Sequence, residues 1–107
     1  MTTHVEWLAS RTPEAPVALL QCVRDLFMSQ SDWEKLSRVD AFVEASEVLL
    51  RRVLVGGTVA RASALDLLAA DACVTWAFEA AADDPATIAG CAERATEGIA
   101  AIAAEFA

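Results

Sequence analysis

The sequence predicts an all-α domain: a compact four-helix bundle-like unit with an additional short N-terminal helix. Three observations predict it. Apolar residues recur at helical spacing over most of the chain, and β-branched residues never alternate over a useful length. Alanine makes up roughly a fifth of the residues, while tyrosine is absent and glycine is scarce. Helix-starting patterns stand at the head of each periodic stretch. At 107 residues the chain reads as one domain, residues 1–107, large enough for a single modest core.

Thr3 with Glu6 forms a capping-box pattern and opens a short helix over roughly residues 4–10. Thr12-Pro13-Glu14 sets a proline in a first turn and opens a helix over about 13–29. Ser31 with Glu34 opens the next, over about 32–55, and Gly56-Gly57 stops it. Ser63 with Asp66 begins a helix over about 63–82, and Asp84-Pro85 begins the last, over about 85–106. The short links make antiparallel neighbours. The N-terminal helix, with Val5, Trp7 and Leu8, lies across one end of the bundle or reaches another subunit.

Three of the long helices are amphipathic. Leu19, Leu20, Cys22, Val23, Leu26 and Phe27 share a face of the 13–29 helix. Leu36, Val39, Phe42, Val43, Leu49, Leu50, Val53 and Leu54 fill one arc of 32–55. Its opposite arc pairs Glu34 with Arg38 and Glu47 with Arg51 at i,i+4, each worth about 0.2–0.5 kcal/mol. Ser46, on the apolar arc, is expected to bond the carbonyl four residues back. Ile88, Cys91, Ala92, Ala95, Ile99, Ile102 and Phe106 line up on the last helix, away from Glu93, Arg94, Glu97 and Glu105.

The 63–82 helix is the exception, because it is apolar nearly all round and expects burial on more than one side. Asp71, Thr75 and Glu79, spaced i, i+4, i+8, form a polar stripe about 12 Å long. Leu67, Val74 and Phe78 flank it on one side, and Leu65, Ala72 and Trp76 on the other. A carboxylate so placed pairs with an arginine such as Arg61 or Arg24, faces solvent, or lines a pocket walled by Trp76 or Phe78. Ala69, Cys73, Ala77, Ala80 and Ala81 form a strip of small residues that seats the last helix or a second copy.

Composition narrows the function. A net charge of −8, with 8 Lys and Arg against 16 Asp and Glu, argues against nucleic acid and anionic membranes. Cys22, Cys73 and Cys91 are far apart and show no C-x-x-C spacing, so each reads as a small buried thiol in a reducing, cytoplasmic compartment. The N-terminus has neither a basic nor an apolar leader, so no signal peptide is expected. His4 is the only histidine and falls in a segment expected to be mobile, which leaves no metal site, no cofactor site and no nucleophile–base pair. The run Leu68-Ala69-Ala70-Asp71-Ala72 with Ala77-Phe78-Glu79 resembles a helix of the all-α isoprenyl diphosphate synthases. The aspartate-rich motifs of that family are absent, Asp83-Asp84 stands alone before Pro85, and no residue role is carried over.

The expected function is therefore non-enzymatic. The chain reads as an acidic accessory, adaptor or regulatory subunit, homodimeric or partner-bound, acting through protein–protein contact. Trp7, Leu8, Ala69, Cys73 and Ala77 are its expected contact residues. The alternative is a small-molecule binding protein or simple acid–base enzyme, with a pocket beside Asp71, Thr75 and Glu79 walled by Trp76 and Phe78.

Overall fold

The structure, a computed structural model, describes residues 2–11, 15–56 and 61–107. These form five α-helices and no strand: α1 His4–Ala9, α2 Val17–Met28, α3 Arg38–Gly56, α4 Arg61–Ala81 and α5 Ile88–Glu105. Single 3-10 turns at Ser31–Lys35 and Pro85–Thr87 precede α3 and α5. The all-α bundle-like class is as the periodicity predicts. No helix among the described residues is long and apolar enough to cross a membrane.

The starts of the helices follow local chemistry, with instructive departures. The Thr3 hydroxyl accepts the Glu6 N–H at 3.1 Å and begins α1 as expected. The proline start at residues 12–14 lies outside the described residues, and α2 begins only after Pro16. The box at Ser31 opens a 3-10 turn, not the long helix expected of it. Leu36 is extended, and the Ser37 hydroxyl then accepts the Asp40 N–H at 3.1 Å to start α3. A second Ser-x-x-Asp cap six residues on thus takes the role given to the first. α4 begins at Arg61, so Ser63 lies inside the helix and buried rather than at its cap. Asp84 does cap its turn, accepting the Ala86 N–H at 3.3 Å. Of the glycine stop, α3 ends at Gly56, and Gly57 lies outside the described residues.

α3 and α4 form the most extensive helix pair. Small residues on both helices make this possible: Ala41, Ala45, Ala69, Cys73 and Ala77 have no exposed surface. The small-residue strip of α4 is therefore buried within the subunit at Ala69, Cys73, Ala77 and Ala81, with Cys22 of α2 near Cys73. Ser46 also serves the close approach, its hydroxyl bonding the Val43 carbonyl at 2.6 Å, three residues back rather than four.

One end of this pair is filled with rings. Phe42, fully buried, meets Phe27 at 5.2 Å, Trp7 at 5.5 Å and Trp76 at 6.1 Å between ring centroids. Trp33 closes on Phe27 at 5.1 Å. His4 joins the cluster, 6.1 Å from Phe27 and 6.3 Å from Phe42. The N-terminal segment expected to be mobile is thus docked, with His4 buried. Its Nε2 lies 3.0 Å from the Trp33 carbonyl and 3.2 Å from that of Leu36. Both are acceptors, so the ring hydrogen resides on Nε2 and donates to them. Arg11 and Arg38 lie over the Trp7 ring at 4.8 and 5.3 Å, and Arg38 also donates to the Thr2 carbonyl at 3.0 Å.

Ion pairs join α5 to α3 beside its buried Cys91, Ala95 and Ile102. Arg94 donates to Glu44 at 2.6 Å and to Glu47 at 2.7 Å, and Arg51 pairs with Glu105. Arg51 holds the Glu105 carboxyl below its usual range. The i,i+4 pairs expected within one helix do not form. Glu34 precedes α3 and accepts the His4 N–H, while Glu47 and Arg51 turn toward α5, whose partners bridge two helices instead.

Two outcomes follow. His4→Ala removes the donor shared by two carbonyls and opens space among the rings, and urea unfolding should show a loss of about 1–3 kcal/mol. A Cβ at Gly90 meets nothing within 4 Å, whereas one at Gly98 overlaps the Glu47 carboxylate that holds Arg94. Gly90→Ala should therefore stabilise by about 0.5–1 kcal/mol through helix propensity. Gly98→Ala, measured by the same melt, should gain less or lose.

Candidate functional site

The spacing of α4 puts Leu67, Val74 and Phe78 on one side of the helix, turned toward α5. α5 answers with short side chains. Ala92, Ala95, Thr96 and Ala100 face Val74 and Phe78, and only Ile99 is large. Alanines cannot fill the space that leucine, valine and phenylalanine leave, so a furrow runs between the helices. It has two hollows. One, of about 320 Å³, is lined by Ser46 and Leu50 of α3, Leu67, Ala70, Asp71 and Val74 of α4, and Ile99. The other, of about 420 Å³, continues past Val74 and Ile99 to Phe78 and the alanines of α5. Both are partly open to solvent. Leu67 and Leu68 remain 51% and 60% exposed, and Ile99 39%. The expectation that α4 is buried on more than one side thus meets a helix with an apolar crest left uncovered within the subunit.

The predicted polar stripe is divided by its surroundings. Asp71 is exposed at the rim of the first hollow. Neither Arg24 nor Arg61 pairs with it, and its carboxylate has no hydrogen bond or ion pair among the described residues. Thr75 is exposed and donates back to the Asp71 carbonyl at 3.3 Å, a bond internal to the helix. Glu79 accepts from Arg11 Nε at 3.2 Å, so it fastens the end of α1 to α4. Of the two expected pocket walls, Phe78 lines the second hollow, and Trp76 lies instead among the core rings. The expected contact residues Trp7, Leu8, Ala69, Cys73 and Ala77 are all buried inside the subunit. The furrow also uses Leu50, Ala92 and Ile99, which periodicity assigns to amphipathic arcs without showing that the facing helix is too thin to cover them.

The thiols are placed as small core groups. Cys73 and Cys91 are buried, Cys22 is half-buried, and all three are free. Burial raises each thiol above its ordinary range. At Cys22 the neighbouring Asp66 adds to this, with Oδ1 3.7 Å from Sγ, and it disfavours a thiolate through its charge and by accepting the S–H. Folding that raises a thiol pKa contributes stability that is whole below the ordinary thiol range and is lost as pH rises through the folded value. No group of three or more His, Cys, Asp or Glu among the described residues is arranged to hold a metal ion.

No protein-family model, curated protein or solved structure matches this chain.

The Cys22–Asp66 contact yields a direct test. Asp66→Asn removes the charge that opposes the thiolate, so Cys22 should react several-fold faster with a disulfide reagent at pH 8. Cys73 and Cys91 should stay slow until the chain is unfolded.

Proposed function

We propose that this protein is a non-enzymatic, cytoplasmic accessory or adaptor subunit that works through protein–protein contact, with the α4–α5 furrow receiving a helix of its partner. The observation that carries the proposal is the uncovered apolar crest of α4 beside a furrow that the alanines of α5 leave unfilled. Helix-in-groove recognition uses such a surface, with anchors at i, i+3, i+4 and i+7 entering successive hollows. This reading sets the contact face in the furrow rather than on the residues that the periodicity suggests, which are buried within the subunit. Trp7, Leu8, Ala69, Cys73 and Ala77 serve the fold, and the furrow takes over the role of contact surface.

Self-association through the same furrow is the less favoured form of this reading. An isologous pair would bring the acidic rim of one copy, Asp71 included, toward that of the other. The small-molecule alternative has one supporting feature, the hollow that reaches Asp71. It lacks the enclosure that lets a pocket cover most of a small ligand.

A photoreactive amino acid placed at position 67, exposed on the wall of the furrow, should give one discrete adduct with another protein in cells. The same group at Asp32, on the 3-10 turn, should give none. Background labelling alone at both positions would overturn the proposal.

A further inference from the structure

We propose that the helix taken by the α4–α5 furrow is basic as well as amphipathic: about three turns with large apolar residues along one stripe and Lys or Arg on both flanks. This rests on the furrow being a contact face and adds the chemistry of the occupant. Most acids that meet another helix are already matched: Glu44 and Glu47 by Arg94, Glu79 by Arg11, and Glu105 by Arg51. Asp71, which lines the furrow, and Glu93 and Glu97, which line the shallow hollow adjoining it across Ala92 and Thr96, are not. Asp71 stands on the α4 rim. Glu93 and Glu97, one turn apart, stand beyond Ala92 and Thr96 on the outer side of α5. None of the three has a hydrogen bond or ion pair among the described residues, and no basic residue among them lines the furrow or its outer edge. An apolar floor between unmatched carboxylates selects an occupant that is apolar on one stripe and cationic beside it. From Leu67 to Phe78 the floor extends about 16 Å along α4, the length of roughly three helical turns.

The charge pattern also argues against a second copy, because two furrows facing one another would set like charges together. A basic ordering of the partner relieves that field instead, in a chain whose net charge is −8.

The test uses fluorescent peptides of about 18 residues, long enough to cover the furrow. One has leucine and lysine in amphipathic order, one has the same composition scrambled, and one has glutamate in place of lysine. Fluorescence anisotropy with the whole protein should show the ordered Leu/Lys peptide binding at least about tenfold more tightly than either other peptide. Its affinity should fall as salt is raised from about 0.05 to 0.3 M. The D71N/E93Q/E97Q variant, checked for folding by circular dichroism, should weaken it about tenfold. Leu67→Asn should weaken it while leaving the salt dependence in place. Equal binding of the scrambled peptide, equal binding of the Leu/Glu peptide, no binding, or an unchanged affinity for the triple variant would each overturn the basic partner. So would a dimer of the unmodified protein in sedimentation that the triple variant strengthens. If these arms fail while the adduct at position 67 persists, the furrow still meets a protein, of different chemistry. If both fail, the contact-face reading falls with it.

Discussion

The close approach of α3 to α4 is the constraint on which the other packing depends. Two helices come near enough to bury alanines completely only where neither presents a large side chain, and Ala41, Ala45, Ala69, Cys73 and Ala77 supply that condition. The pair then forms a rigid axis with bulky residues at its margins. At one end Phe42 meets Trp76 and the rings of α1 and α2, and Phe27 of α2 meets Trp33 of the 3-10 turn. On the flank toward α5 the axis presents Leu67, Val74 and Phe78, which short side chains cannot cover. The interior and the furrow thus arise from the same economy of alanine, used densely where two helices face each other and too thinly on the third.

The ends of the molecule are held in different ways. α1 is fastened by a buried histidine, by ring contacts and by Arg11 reaching Glu79. α5 is fastened by a few buried apolar residues, Cys91, Ala95 and Ile102, and by ion pairs to α3. Exposed ion pairs contribute little and are screened by salt, whereas ring packing is not. α5 is therefore the helix whose attachment leans most on its electrostatic surroundings, and it is also the helix that forms one wall of the furrow.

How much of this was legible in the sequence differs by level. The helix count and class follow from periodicity, and Thr3 and Asp84 act as the caps their spacing suggests. The start of α3 does not, because Ser31 and Ser37 both carry a capping pattern, and it is Ser37 that caps the long helix while Ser31 opens a 3-10 turn with Trp33 buried in it. His4 was misplaced for a similar reason: no local pattern states that two carbonyls distant in sequence will meet one ring nitrogen. On α4 the apolar surplus was visible, but which side of it remained open depended on the bulk of α5. A helical wheel places Ile99 on an apolar arc without saying whether anything large lies opposite. Asp71 stands out in the sequence as a carboxylate among apolar residues, and in the fold it stands without an ion pair among the described residues at the rim of the furrow.

The break at Leu36 has an effect beyond local geometry. Had the helix run unbroken from Ser31, the Leu36 carbonyl would have been taken by an N–H four residues later, as in any helix interior. Because the backbone turns extended there, that oxygen is available to the imidazole of His4, which also donates to the Trp33 carbonyl alongside the Leu36 N–H. The hydrogen bonds to them join positions 29 and 32 residues apart, and the whole of α2 lies inside the closed segment. α2 has no side-chain cap at its own start. Its buried Val23, Leu26 and Phe27 hold it in the core, and the tied ends of the loop that contains it leave the intervening chain fewer arrangements. The closure has an entropic cost of its own, which the hydrogen bonds and ring contacts of His4 offset, so a single irregular residue links the start of the chain to the start of α3.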